Sequence, residues 1–280
     1  MTRICIVSPH LDDALLSCGV MIQRRVAAGD KVFILNIFSE GTNAANRQQE
    51  DKAAAALLGA EPVFLNELDA PDRDPKYKPT ENLFFAPLEP ADRPFIDKVA
   101  SRIDGFLQRQ RIDLVFFPLA AGTHIDHRVA HAAGRILNSA AVLFYEDRPY
   151  ILWPGVLHGR MNQIDADVTL PPVTREQMLA SLNDYHYLKF FVPKGHYQEH
   201  CLPLYFKMLE DTSAKTLKAN SETVLANEQE LKTLFAALEL YESQMLHIYP
   251  DYETFIKDSY RYERAMSGRD VYEERYWSLH

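Results

Sequence analysis

The stretch that decides the fold is Arg-Ile-Cys-Ile-Val-Ser-Pro-His-Leu-Asp-Asp, residues 3–13. Its apolar run predicts a short buried strand, and Pro9 ends the strand pairing because proline has no N–H to donate. His10, Asp12 and Asp13 follow directly, where the strand passes into a helix. In open α/β sheets, the ends of strands are where ligands bind. Because adjacent carboxylates are costly to bury unpaired, the sequence predicts a cationic partner for them.

Composition places the chain among ordinary globular proteins. Of its 280 residues, 47% are hydrophobic and 25% are charged, and the formal net charge is −9. This acidic balance argues against non-specific binding to nucleic acid. No apolar run is long enough to cross a bilayer, and no signal-peptide pattern precedes the first strand. Three widely spaced cysteines are typical of a reducing compartment, so we expect a cytoplasmic protein without a membrane span.

Strand and helix patterns alternate through the first half of the chain. Alternating strands and helices indicate right-handed βαβ units, and we therefore expect an α/β fold with a Rossmann-like, mostly parallel sheet flanked by helices. The predicted strands cover residues 3–8, 31–38, 62–65, 114–118 and 141–145, and the predicted helices cover 13–28, 44–58, 92–109 and 126–138.

Two regions depart from this regular pattern. Residues 69–91 contain five prolines and predict a long excursion near the sheet edge or the site, with disorder as the alternative. Residues 165–173 favour a pair of strands, and residues 174–265 look largely helical. We expect one domain over residues 1–280. Its core and metal site would lie within 1–150, and 151–280 would complete and cap it.

A second polar cluster lies downstream, Gly-Thr-His-Ile-Asp-His at residues 122–127. It also follows a predicted buried strand and precedes a helix, so both clusters should project from the same end of a parallel sheet. A catalytic zinc ion takes three nitrogen or oxygen ligands and keeps one position for water. Two histidines and one aspartate from the two clusters would satisfy that count. The alternative for each aspartate is a helix N-cap.

These two clusters resemble the paired motifs of the PIG-L/LmbE type of zinc-dependent N-deacetylase, usually His-Pro-Asp-Asp-Glu and His-Pro-Asp-His. The chain departs from the usual motifs by having Leu11, Ala14 and Ile125. Further matching blocks contain Gly41 with Arg47 and Glu50, Asp69-Ala70-Pro71 with Arg73, Tyr145-Glu146-Asp147, Tyr241 with Ser243-Gln244, and Glu274-Arg275 with Trp277.

The resemblance assigns a role to each residue of the two clusters. His10, Asp13 and His127 would hold the metal, expected to be Zn²⁺ although another divalent ion such as Fe²⁺ is open. Asp12 would be the general base. His124 would donate to the oxyanion. Asp126 would bond to a histidine and set its tautomer.

The resemblance also implies contacts with substrate. We expect these from Arg47, Asp69, Arg73 and Tyr145, although Arg47 could instead belong to a solvated helix face and Asp69 to a turn. His131 lies one helical turn after the second cluster. It is expected to pack near the site rather than to bind the metal.

The resemblance implies an enzyme, a hydrolase that removes an N-acyl group, with acetyl favoured, from an amino sugar or a small glycoconjugate. The expected partner is therefore a small N-acylated sugar. One alternative is an amidase that cleaves a larger N-acyl or thiol conjugate. Another is a non-catalytic relative that binds metal or sugar. The sequence leaves the particular sugar and the oligomeric state open.

Overall fold

The structure, a computed structural model, describes residues 1–190, 197–210 and 214–280. In this part of the chain, the strands are β1 Arg3–Ser8, β2 Lys31–Asn36, β3 Glu61–Phe64, β4 Leu114–Pro118, β5 Ala141–Tyr145, β6 Ala166–Asp167, β7 Leu217–Leu225 and β8 Glu273–Leu279. The helices are α1 Asp13–Ala27, α2 Ala44–Leu57, α3 Ala70–Arg73, α4 Thr80–Phe85, α5 Arg93–Gln110, α6 Ile125–Ile136, α7 Val156–Gln163, α8 Arg175–Ala180, α9 Leu202–Leu209, α10 Glu228–Leu238, α11 Glu242–Ile248 and α12 Tyr252–Ser267.

The strands form one sheet in the order β3-β2-β1-β4-β5-β8-β7-β6. Strands β1 to β5 pair in parallel, whereas β8 runs antiparallel to both of its neighbours, β5 and β7. The prediction of a mostly parallel α/β sheet flanked by helices is confirmed. None of the described helices has the length and apolar character needed to cross a bilayer.

The strand order reverses between β1 and β4, which are neighbours in the sheet. From β1 the chain goes outward through β2 and β3, and from β4 it goes outward on the other side through β5. The crevice at such a reversal, at the carboxyl ends of the strands, is where ligands bind in open α/β sheets. The loops after β1 and β4 lie there, and they carry the two polar clusters.

A buried central strand and a constrained loop hold the two sides of this crevice in place. Residues Ile4–Val7 of β1 are fully buried, as expected for a central parallel strand that is covered on both faces by helices. The loop after β4 is strained, since Ala120 and Thr123 both have left-handed backbone angles, φ +61° in each case. Strained backbone of this kind is maintained only where the surrounding structure holds it in place.

The second half of the chain departs from the sequence prediction. The strand pair expected within residues 165–173 is wrong, because only the two-residue β6 forms there and its partner is β7. The largely helical interpretation of residues 174–265 missed β7, and β8 lies beyond that range, where no strand was predicted; both strands extend the main sheet. The proline-rich residues 69–91 are ordered, and they contain α3 and α4 together with two short 3-10 turns.

Candidate active site

Three potential ligand atoms converge at the carboxyl ends of β1 and β4. Asp13 Oδ2 lies 3.3 Å from His10 Nδ1 and 3.2 Å from His127 Nε2. His10 stands in the loop after β1, Asp13 is the first residue of α1, and His127 lies in the first turn of α6. The backbone N–H of His10 donates to the same Asp13 oxygen at 2.8 Å, which fixes the carboxylate in the loop.

These three side chains fit a metal ion. His127 Nε2 is fully buried, and Asp13 Oδ2 at 3.2 Å is the polar atom that it faces, although the geometry of this contact is not that of a regular hydrogen bond. Ligands about 2.0 Å from a tetrahedral zinc ion are roughly 3.3 Å apart, which matches the separations around Asp13. A second group, His10, His124 and Asp126, also has donor atoms within 4.8 Å of one another. Asp126 is less suited as a ligand because both of its oxygens already accept hydrogen bonds.

A carboxylate accepts a hydrogen bond from each of the two candidate ligand histidines, on the side away from Asp13. His10 Nε2–H donates to Asp126 Oδ2 at 3.2 Å, and His127 Nδ1–H donates to Asp147 Oδ1 at 2.6 Å. Each bond leaves the other ring nitrogen facing Asp13, and carboxylates hold metal-binding histidines in this way. Asp147 is absent from the predicted site residues. The sequence could have indicated Asp147, because this residue follows β5 and so lies at the same edge of the sheet as the two polar clusters.

The two acidic neighbours in the first cluster have different surroundings. The pKa of Asp13 is held well below its usual range: burial opposes ionisation, but the charges and hydrogen bonds of His127 and His10 outweigh it. Asp12 faces the cavity, 3.6 Å from the guanidinium of Arg47. Burial raises the pKa of Asp12, and Arg47 partly offsets that rise. One carboxylate is therefore held as an anion, and the other binds a proton more readily.

His124 also faces the cavity, from the residue before α6. Its Nδ1 accepts the backbone N–H of Asp126 at 3.2 Å, so in the neutral ring Nε2 carries the hydrogen. Burial, aided by the charge of His10, moves the pKa of His124 well below its usual value. The side chain is thus a neutral donor. For the two ligand histidines the carboxylates outweigh burial and raise the pKa, to about 9 for His10 and about 10 for His127.

The site lies at the base of a cavity of about 410 Å³. Its polar lining comes from His10, Asp12, Asp13, Arg47, Asp69, His124, Gln244 and His247, and the rest of the wall from Leu16, Pro71, Leu83, Pro149, Tyr150, Tyr187 and Ile248. Both halves of the chain therefore contribute, and α3 and α4 of the proline-rich segment bring Pro71 and Leu83 to it.

Two of the residues predicted to contact substrate do not line the cavity. Tyr145 is fully buried, and its hydroxyl donates to the carbonyl of Val7 at 3.0 Å, two strands away. Arg73 does not line the cavity; it donates to Asp126 Oδ1 at 2.7 Å and so supports the carboxylate behind His10. Arg47 and Asp69 do line the cavity. His131 is buried against β4, with Nδ1 donating to the carbonyl of Pro118 at 3.0 Å.

A buried hydrogen-bond network holds the loop that carries Asp147. The neighbouring Glu146 accepts hydrogen bonds from Tyr262 Oη at 2.8 Å, Trp277 Nε1 at 3.1 Å and Arg275 Nη1 at 3.2 Å. The donors belong to α12 and β8. The strand that the sequence analysis missed therefore supports the backbone from which the carboxylate behind His127 projects.

The fold and the site define the class of this protein. Residues 5–137 match the sequence profile of the family described as PIG-L, GlcNAc-PI de-N-acetylase. This region contains five residues of the candidate site, His10, Asp12, Asp13, His124 and His127. The chain therefore contains a PIG-L family domain, and the resemblance drawn from the two motifs is confirmed.

Particular proteins are similar to this chain in sequence or in fold. The 2'-N-acetylparomamine deacetylase of Niallia circulans is 27% identical, and the match covers 51% of this chain and 66% of that protein, just under two thirds. The solved A40926 pseudoaglycone deacetylase Dbv21 is 19% identical, with a TM-score of 0.65 over 100% of this chain and 97% of its own. The zinc-inhibited form of teicoplanin deacetylase Orf2 is 18% identical, with a TM-score of 0.67 and coverage of 100% and 98%. The two structures show a shared fold.

Proposed function

We propose that this protein is a metal-dependent hydrolase that removes an N-acetyl group from an amino sugar or a sugar conjugate. The observation that carries the proposal is the convergence of His10 Nδ1, Asp13 Oδ2 and His127 Nε2 at the base of a cavity that Asp12 and His124 also line. A PIG-L domain and a relative named as a deacetylase of an N-acetylated sugar support the choice of reaction.

His10, Asp13 and His127 would hold the ion, with Asp126 and Asp147 orienting the two imidazoles. The nitrogen and oxygen donor set favours zinc, and Fe²⁺ is the alternative. When bound, such an ion supplies a water molecule of lowered pKa and polarises the substrate carbonyl. Elemental analysis of purified protein should find close to one divalent ion per chain.

Asp12 would move the proton in both halves of the reaction. Its carboxylate faces the cavity next to the ligand Asp13, so it can accept a proton from the attacking water. The same carboxyl group would then return the proton to the nitrogen of the leaving amine. Its burial favours this second step, because burial raises the pKa of Asp12 and helps it keep the proton until the amine takes it.

His124 would stabilise the oxygen that becomes negatively charged during attack. Its Nε2–H is available as a donor because Nδ1 already accepts the Asp126 backbone N–H. A neutral imidazole held in place by the start of α6 needs no reorganisation when the charge develops, which is the property of an effective oxyanion donor.

Asp12→Ala tests these assignments. The variant should keep its metal and lose turnover by a factor of roughly 10²–10⁴, measured as acetate released from a panel of N-acetylated sugars. Asp97→Ala, an exposed change on α5, is the matched control and should behave as wild type. His127→Ala should lose the metal. If Asp12→Ala loses the metal instead, the roles of the two aspartates are reversed and the mechanism fails.

Other expectations go with this proposal. We propose a small N-acylated sugar as the partner, and contacts to it from Arg47 and Asp69, which line the cavity. The single-domain organisation over residues 1–280 and the cytoplasmic location stay predictions.

A further inference from the structure

A buried arginine in the second half of the chain contacts the loop that carries His124. Arg160 of α7 is only 4% exposed, and it lies outside residues 5–137, the region that matches the PIG-L profile. Its guanidinium donates from Nε to the carbonyl of Leu119 and from Nη1 to Oε1 of Gln163, each at 2.6 Å. Both acceptors are neutral. Among the residues that the structure describes, no carboxylate oxygen lies within 4.0 Å of this guanidinium.

Such an arginine is costly for folding. Burial lowers the pKa of Arg160 to about 9, and the charge of Arg128 adds to this effect while that of Asp147 opposes it. A buried cation without a paired carboxylate opposes folding because its lost hydration is poorly replaced. Sequences keep such costly groups mainly at functional or strained sites. The contact that Arg160 makes with Leu119 therefore needs a reason beyond stability.

We call residues 119–124, which join β4 to α6, the β4 loop. Its second residue, Ala120, has a left-handed backbone angle, φ +61°, and its last residue is His124. Strained backbone of this kind keeps its shape only where neighbouring groups hold it. Arg160 binds the carbonyl of Leu119, immediately before the strained residue. This hydrogen bond therefore fixes the point at which the chain turns toward His124.

Helices α7 and α9 hold the β4 loop together. Asn162 of α7 donates from Nδ2 to the carbonyls of Met208 and Leu209 at the end of α9, both at 3.0 Å. The hydroxyl of Tyr205, also on α9, donates to the carbonyl of Gly122 at 3.4 Å. The β4 loop is thus held at its first residue by α7 and at its fourth by α9.

We infer that Arg160 is a positioning residue for His124, acting through the carbonyl of Leu119 and the β4 loop. Arg160 itself does not line the cavity. His127 depends less on this contact, because it lies within α6 and Asp147 accepts its Nδ1–H. The inference rests on the proposed function, in which His124 donates to the oxyanion, and it adds to that step a residue from outside the family match.

Arg160→Met tests this role in the zinc-loaded protein. It should lower kcat for the best N-acetylated sugar by roughly 10- to 100-fold, because a small displacement of a catalytic group is enough for such a loss. KM and the zinc Kd should stay within about twofold of wild type, since ground-state contacts are unchanged. Arg160→Lys keeps a charged donor for the carbonyl of Leu119 and should recover part of kcat. Arg175→Met, which removes an exposed ion pair on α8, is the matched control and should behave as wild type.

A double-mutant cycle with His124→Ala shows whether the two residues act together. Loss of an oxyanion donor costs roughly 10²–10³ in kcat, and His124→Ala sets this reference. If Arg160 acts through His124, adding Arg160→Met to His124→Ala should lower kcat no further. If the two losses multiply instead, or if Arg160→Met raises KM and leaves kcat unchanged, the inference is overturned. Should Arg160→Met not fold, as judged by circular dichroism, Arg160→Lys takes its place in the cycle.

A readout without turnover separates this inference from the proposed function. Nuclear magnetic resonance of histidine-labelled, zinc-loaded protein gives the imidazole signals of His124, assigned by their loss in His124→Ala. Arg160→Met should shift these signals, and Arg175→Met should not. If no acetate is released from any sugar but the signals shift, the deacetylase proposal fails and the positioning role stands. If acetate is released and Arg160→Met changes neither kcat nor the signals, the positioning role fails and the deacetylase proposal stands.

Discussion

Replacing Asp147 by Asn tests how the metal centre is held. The Asp147 carboxylate is fully buried and accepts two hydrogen bonds, from His127 Nδ1–H at 2.6 Å and from the backbone N–H of Ala121 at 3.0 Å. Each carboxylate oxygen serves one of these donors. An Asn side chain has a single oxygen, so in Asp147→Asn one buried donor would face an NH₂ group and lose its acceptor.

The expected effect has two parts. A buried donor that loses its acceptor costs about 1–3 kcal/mol, and this cost falls on the folded protein whether or not metal is present. Loss of a carboxylate that orients a metal-binding histidine lowers metal affinity roughly 10- to 100-fold. That loss corresponds to about 1.4–2.8 kcal/mol of binding free energy. We therefore expect Asp147→Asn to bind zinc roughly 10- to 100-fold more weakly than wild type.

Two measurements keep these parts separate. Competition with a chromophoric chelator gives the zinc Kd, and urea unfolding of the metal-free protein gives the folding cost. Asp97→Asn, which alters an exposed ion pair with Arg93 on α5, is the matched control and should change neither quantity by a measurable amount. If folded Asp147→Asn binds zinc as tightly as wild type, Asp147 does not orient His127, and the account of the metal centre is wrong.

Two further predictions concern stability. A methyl group at Gly122 would lie 2.3 Å from Cγ of Tyr150, so Gly122→Ala should lower the unfolding free energy by about 1–3 kcal/mol and slow turnover by displacing a cavity residue. Gly105→Ala, whose methyl group meets only the flexible end of Arg109, should be neutral or slightly stabilising; equal losses in both variants would contradict the argument. Burial raises the pKa of Glu274 from 4.5 to about 7, so its stabilising contribution is full below pH 4.5 and is lost as the pH rises through 7. The unfolding free energy of wild type, relative to Glu274→Gln, should therefore fall across this range in urea titrations, and a difference independent of pH would refute the assignment.

The convergence of the two polar clusters could be predicted because its signals are local. Each polar cluster directly follows a short apolar strand, and the alternating pattern requires those strands to be parallel. Once β1 and β4 are neighbours, His10 and Asp13 must approach His127. The strand bounds in this half were therefore close to those observed, within two residues at every end.

The second half was harder because its strands carry polar residues. Strand β8 contains two glutamates and an arginine, which are buried only because they find partners such as Glu146 and Arg148 in distant segments. Strand β7 is largely exposed and contains few apolar residues. Neither strand shows the apolar alternation that predicts strands. Their place in the sheet depends on pairing across long stretches of sequence.

The side-chain direction of Tyr145 could not be predicted, for a different reason. Tyr145 occurs in a block that resembles the family, and it does lie at the correct end of β5. The direction of the Tyr145 side chain could not be predicted from this stretch of sequence. In the structure, the ring crosses β4 and its hydroxyl donates to the carbonyl of Val7. Two residues further on, Asp147 accepts the hydrogen bond from His127. Position along the sheet was therefore predictable, but side-chain direction was not.

The interior position of β8 limits how this protein could be shortened. A fragment covering only the region that matches the PIG-L profile would keep His10, Asp13 and His127 but lack β5, β8 and Asp147. A longer fragment that stopped before residue 273 would leave β5 as an open edge, a template for aggregation, and would remove two of the donors to Glu146. A shortened version of the chain should therefore retain β8, or receive it as a separate peptide that can complete the sheet.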